Sequence, residues 1–165
     1  MMPFLKSIEQ LSFSTWIREG GALYGYALVL FLHTIGLALV VGTTFMINLR
    51  LLGLTPSMEL KPLERLYPVM WAGFWLNLVS GTILLMADAS TKLTNWDFYV
   101  KMVLVVCGLL VQREIRKKVF HGPQVDQGIL PPGAKGLAWA SIILWLGAIA
   151  AGRLLAYLGP VAGLA

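Results

Sequence analysis

Four polar side chains interrupt otherwise apolar stretches of this chain: His33, Asn77, Lys101 and Arg153. His33 lies in the middle of an uncharged run from Gly20 to Leu49, and Arg153 in an otherwise uncharged stretch from Gly136 to Ala165. A neutral imidazole is a metal ligand or a hydrogen-bond partner. A guanidinium holds carboxylates through two parallel hydrogen bonds. In hydrocarbon that guanidinium costs at least roughly 2.5 kcal/mol, so it needs a partner or a route to the interface.

The elements that carry these residues are apolar helices. Of 165 residues, 58% are hydrophobic and 13% charged, and the mean hydropathy is +0.75. Four runs, 22–44, 66–87, 97–117 and 137–158, have the length and character of membrane spans, for which about 20 apolar residues are needed. The third is the shortest between charges, with Trp96, Phe98 and Tyr99 as an interface anchor at its start. The expected fold is all-α, a four-helix transmembrane bundle in one domain. Ahead of it, Phe4, Leu5, Ile8, Leu11 and Trp16 recur at near-helical spacing among polar residues, which predicts an amphipathic surface helix. That segment lacks the basic start and small-residue cleavage site of a secretory signal, so it is expected to be retained. The loop from His121 to Lys135, rich in Pro and Gly, joins the last two spans.

Charge orients the bundle. Lys6, Arg18, Lys92, Lys101 and Arg153 fall on one side, and Arg50, Lys61, Arg65, Arg113, Arg116, Lys117, Lys118 and Lys135 on the other. Eight against five predicts the second side to be cytoplasmic, with both termini facing outward. The formal charge of +5 is thus a topology signal beside a lipid bilayer, and no nucleic-acid partner is expected. The single cysteine, Cys107, rules out an internal disulfide and reads as a small core residue. No phosphate loop, paired intramembrane carboxylate or second intramembrane histidine is present. None of the eight acids lies deep in a span, which disfavours a proton or ion transporter.

Depth brings the four residues together. At 1.5 Å per residue, His33 lies about 15 Å from the outer start of its span and Asn77 at a similar depth. Lys101 is about one turn, and Arg153 one or two turns, from the outer ends of theirs. An imidazole near the middle with two cations above it suits a haem, whose iron sits on a histidine and whose propionates face the wet interface. The same residues admit plainer roles. His33 can hydrogen-bond across helices to Asn77 or Ser80, and Lys101 and Arg153 can reach the headgroups.

The stretches LHTIGLALVVGTTFMINLRLLGL (Leu32–Leu54), GFWLNLVSGTILLMADA (Gly73–Ala89), NWDFYVKMVLVV (Asn95–Val106) and AGRLLAYLG (Ala151–Gly159) together resemble a family of uncharacterised bacterial four-helix membrane proteins. More remotely, the His-bearing first span and the Trp96-x4-Lys101 start of the third resemble the membrane protoporphyrinogen oxidase family and the copper-resistance D-type proteins. The resemblance to the oxidases implies His33 and Lys101 as a functional pair and association with haem b. Unlike those oxidases, this chain has no further histidines near its span ends, has Asn48 and Arg50 where the first helix exits, and adds the Arg153 motif.

The expected function is therefore haem b or tetrapyrrole binding in the outer half, serving membrane electron transfer or tetrapyrrole handling. His33 is the expected axial ligand, Arg153 the propionate clamp, Lys101 a second cation, and Asn77 a neighbour in the same site. A sixth iron ligand would have to come from a methionine such as Met86 or from another subunit of a homo-oligomer. A membrane redox complex or a quinone is the expected partner. Two alternatives stand beside this: a cofactor-free accessory subunit of a larger complex, and an enzyme that oxidises a porphyrinogen.

Overall fold

The computed structural model describes residues 2–19, 25–122 and 129–158, and among these no strand occurs. Seven helices follow in order: α1 (Met2–Glu9), α2 (Ser12–Glu19), α3 (Tyr26–Leu52), α4 (Leu66–Ala87), α5 (Ala89–Leu93), α6 (Trp96–Ile115) and α7 (Ala134–Leu158). A 3-10 turn, Lys61–Arg65, precedes α4, and a π-helical turn, Arg116–Phe120, follows α6. The first residues of the predicted first span (22–24) and part of the predicted last loop (123–128) lie outside the described residues.

Local sequence sets the boundaries. α3 has 27 residues without proline, about 40 Å of helix, and runs well past its predicted end at residue 44. It stops at Gly53, whose φ of 85° closes the last turn while the Gly53 and Leu54 amides bond back to Arg50 and Leu49. That is the glycine-terminated helix end in which a side chain would be strained. At the start of α6, the Asn95 side chain accepts from the Asp97 amide at 2.9 Å, capping an otherwise orphaned donor. The predicted single N-terminal amphipathic helix is two helices, broken between Glu9 and Ser12.

Three segments are long and apolar enough to cross a membrane: Tyr26–Leu52, Lys61–Ala87 and Ala134–Leu155. The predicted third span, α6, has the length but carries Asp97, Lys101, Arg113 and Glu114 within 20 residues.

The long helices stand in a curved row, α4–α3–α7–α6. α3 and α4 approach backbone to backbone at Gly36 and Gly73. A Cβ at Gly36 would sit 2.7 Å from the Asn77 amide nitrogen, and one at Gly73 would sit 2.6 Å from the Leu39 Cβ. Such contacts let helices pack where no hydrophobic effect drives them together. The two ends of the row, α4 and α6, are fastened at the end of the molecule that holds the α3–α4 and α6–α7 connections. There the Tyr67 hydroxyl donates to the Gln112 carbonyl at 3.2 Å, and the Arg116 guanidinium lies 5.3 Å from the Tyr67 ring centroid. Glu64 accepts from Arg116 at 3.2 Å and pairs with His121 at 2.9 Å. The main core, including Ile47, Leu51, Tyr67, Ile115, Val119 and Trp145, fills this closed end.

At the opposite end the row opens into a cleft. α1 and α2 pack on the α4–α5 corner, where a Glu9 carboxylate oxygen accepts from the Ser90 amide at 2.6 Å. Phe4, Leu11, Phe13 and Trp16 on these helices are exposed, as a surface-lying apolar face requires.

Candidate functional site

The cleft has a volume of about 640 Å³ and takes side chains from α3, α4, α5, α6 and α7, within the range of small-molecule sites. His33 and Lys101 line it, together with Tyr26, Asp88 and Lys92. Leu30, Leu84, Phe98 and Leu155 supply apolar wall. The cleft is thus an apolar chamber with a histidine, two lysines and one carboxylate.

His33 is held with definite polarity. Its Nδ1 lies 3.1 Å from the Asn77 backbone carbonyl and 3.1 Å from the Ser80 hydroxyl. A carbonyl only accepts, so Nδ1 carries the proton. Ser80 is free to accept as well, since its own hydroxyl donates to the Leu76 carbonyl at 2.6 Å. Asn77 reciprocates: its Nδ2 donates to the His33 carbonyl at 2.8 Å. Nε2 is therefore left as an unprotonated lone pair with no hydrogen-bond partner among the described residues. Gly81 makes room for the ring, because a Cβ there would sit 3.0 Å from the His33 Cε1. Pinning one ring nitrogen to a carbonyl is how ligating histidines are oriented for a metal on the other.

Lys101 is half-buried and makes no hydrogen bond or ion pair among the described residues. Its Nζ is 3.7 Å from where a Gly152 Cβ would be, so the side chain lies along α7 at ordinary contact distance. Lys92 is already engaged: it donates to the Leu84 carbonyl at 2.7 Å and lies 5.9 Å from the Tyr26 ring centroid. Burial lowers its pKa while Asp88 pulls the other way. Among the described residues the cleft lining carries two lysines against one carboxylate, Asp88, so its net charge favours an anionic group.

Of the four predicted residues, the structure brings His33, Asn77 and Lys101 together at the cleft. Asn77 acts behind the imidazole and not on the cavity surface. Arg153 is exposed on α7 and is not among the cleft-lining residues, and Met86 is not among them either. Among the described residues no three His, Cys, Asp or Glu side chains gather to hold a metal ion. A single imidazole fits a metal only when a macrocycle supplies the other ligands. In the sequence Lys92 reads as a topology charge and Asp88 as one of eight acids outside the span interiors, and Tyr26 carries no signal. The available signal was the i,i+4 spacing of Asp88 and Lys92 just past the end of the second span.

A second polar group lies in the closed half. Asn48 on α3 and Gln112 on α6 both donate to the Ser141 hydroxyl on α7, at 2.9 and 2.7 Å. Asn48 and Ser141 are 0% exposed and Gln112 1%. The sequence reading placed Asn48 at the exit of the first helix, whereas it is inside α3 and fully enclosed.

Comparison with protein-family models, with curated proteins and with solved structures finds none that matches this chain.

Proposed function

We propose that the chain is a four-helix transmembrane bundle of the bacterial inner membrane, both termini periplasmic, whose outer cleft binds a b-type haem or a related tetrapyrrole. Its role is membrane electron transfer or tetrapyrrole handling, with a membrane redox complex or a quinone as partner. One observation carries this reading: His33 has its Nδ1 proton committed to Asn77 and its Nε2 lone pair unclaimed, on the wall of an apolar cavity. Such a nitrogen is prepared to bind a metal or to accept a proton. The resemblance to the membrane protoporphyrinogen oxidases singles out the same His33 and Lys101.

The residues fit the group in three respects. Nε2 of His33 would hold the iron, and Asn77 and Ser80 hold the ring that would present it. Lys101 meets a propionate, taking the part that charge and depth had given to Arg153. The apolar walls exclude water from the macrocycle. When bound, the iron supplies one-electron chemistry; the chain itself binds, orients and neutralises. Among the described residues no second histidine, methionine or cysteine lines the cleft, so His33 would be the one ligand these residues supply, and any other would come from a second copy.

The test is a visible absorption spectrum of detergent-purified protein from haem-replete cells, oxidised and reduced. A Soret band is expected in wild type and is expected to be lost in His33→Ala, with unchanged helical circular dichroism. No band in either protein would overturn the proposal and leave the cofactor-free accessory subunit as the better account.

A further inference from the structure

Among the described residues the closed half holds four buried polar atoms without a partner: Thr55 Oγ1 in the α3–α4 connection, and three on the packed helices α3, α6 and α7. Asn48 Oδ1 and Gln112 Oε1 have no donor, and the Trp145 indole Nε1–H has no acceptor. All three belong to side chains that are at most 2% exposed. Buried polar groups are paired in the great majority of cases, and an exception needs an explanation.

These atoms share one neighbourhood. The Asn48 and Gln112 amides each donate to the same Ser141 hydroxyl. Trp145 lies one turn beyond Ser141 on α7. Its ring packs against Gly108, one turn before Gln112 on α6, where a Cβ would be 3.4 Å from the indole nitrogen. Ser141 and Trp145 on α7, and Gln112 and Gly108 on α6, are each four residues apart, so the indole N–H lies about one helical turn along the α6–α7 seam from the two amides. Turning either amide end for end does not close the account. Ser141 has one proton and two lone pairs, against two carbonyls and four N–H groups on the amides.

Two acceptors and one donor are the complement of one water molecule, which donates twice and accepts. Buried waters make about three such bonds. A small cation would satisfy the two oxygens but not the indole N–H, and the neighbourhood holds no carboxylate to offset its charge. We infer that a single water is bound in the α3–α6–α7 seam, donating to Asn48 Oδ1 and Gln112 Oε1 and accepting from Trp145 Nε1–H. This site is separate from the cleft and does not depend on the haem reading. It makes the water a structural component that ties three helices at the closed end.

The measurement is a water–indole cross-peak in protein labelled with ¹⁵N-tryptophan, in detergent or nanodiscs, with the Trp145 signal assigned by its loss in Trp145→Phe. A long-lived water contact at the Trp145 Hε1 is expected in wild type and is expected to vanish in Asn48→Leu. Gln112→Met, which keeps the side-chain length, serves the same purpose if Asn48→Leu does not fold. A wild-type indole with no water contact would overturn the inference, as would a contact that persists unchanged in both amide variants. A melting temperature that rises in sodium over choline chloride, without the water contact, would assign the site to a cation instead.

Discussion

Lys101 and Arg153 are cations near the same end of their helices, yet their surroundings divide their roles. Lys101 lies in the cleft without a partner, while Arg153 is exposed on the outer surface of α7. Lys101→Met is therefore expected to weaken haem binding by roughly tenfold or more, since a hydrogen bond to a charged group contributes about 1.5–3 kcal/mol. Arg153→Met is expected to leave the affinity within about twofold, because an exposed guanidinium contributes little. Titration of haem into apoprotein, followed at the Soret band, compares the two. The hydrogen bonding of His33 with Asn77 was legible in the sequence because a polar residue in hydrocarbon must find a partner. Which of two cations faces inward was not legible, because one residue of helix turns a side chain by about 100°.

Between helices, the least forgiving contact is the one between Gly36 and Gly73. Gly36→Ala would drive a methyl to 2.7 Å from the Asn77 amide nitrogen, which is backbone, so α3 and α4 would have to move apart. The expected cost is about 1–3 kcal/mol, seen as a lower melting temperature. Because Asn77 then shifts relative to His33, a loss of cofactor occupancy larger than that from Lys101→Met is also expected. The Glu64 cluster is expected to behave oppositely. Glu64→Ala breaks pairs with Arg116 and His121 whose side chains are well exposed, so the loss is expected to stay below about 1 kcal/mol and to shrink in high salt. The helices themselves were largely readable: the second and fourth spans fall within a few residues of α4 and α7. The first was cut short because Asn48 and Arg50 look like an exit. Asn48 instead finds Ser141, 93 positions along the chain, and no local pattern announces a partner at that distance.

For the molecule as a whole, the proposed topology turns on α6. Single cysteines at Thr94 and Lys117, placed in a Cys107→Ala background, flank this helix. Opposite-sided labelling by a membrane-impermeant maleimide in intact cells is expected, with the Thr94 site reacting from outside. Labelling of both from one side would leave α6 at the surface and remove the fourth span. In such a crossing, Asp97 lies beside the Asn95 cap and Arg113 and Glu114 near the far end, so only Lys101 needs the cleft to explain it.

Apolar length and the position of polar interruptions are properties of the chain alone, because transfer to hydrocarbon depends on composition over about 20 residues. Those properties are enough to identify the long helices and to mark His33, Asn77 and Lys101. The row α4–α3–α7–α6, its fastening at one end and its opening at the other come from contacts between helices distant in sequence. These depend on how closely small residues such as Gly36 and Gly73 let two backbones approach, and on where Asn48, Gln112 and Ser141 meet. Only that packing decides that Lys101 lines a cavity, that Arg153 does not, and that a second polar site lies in the core.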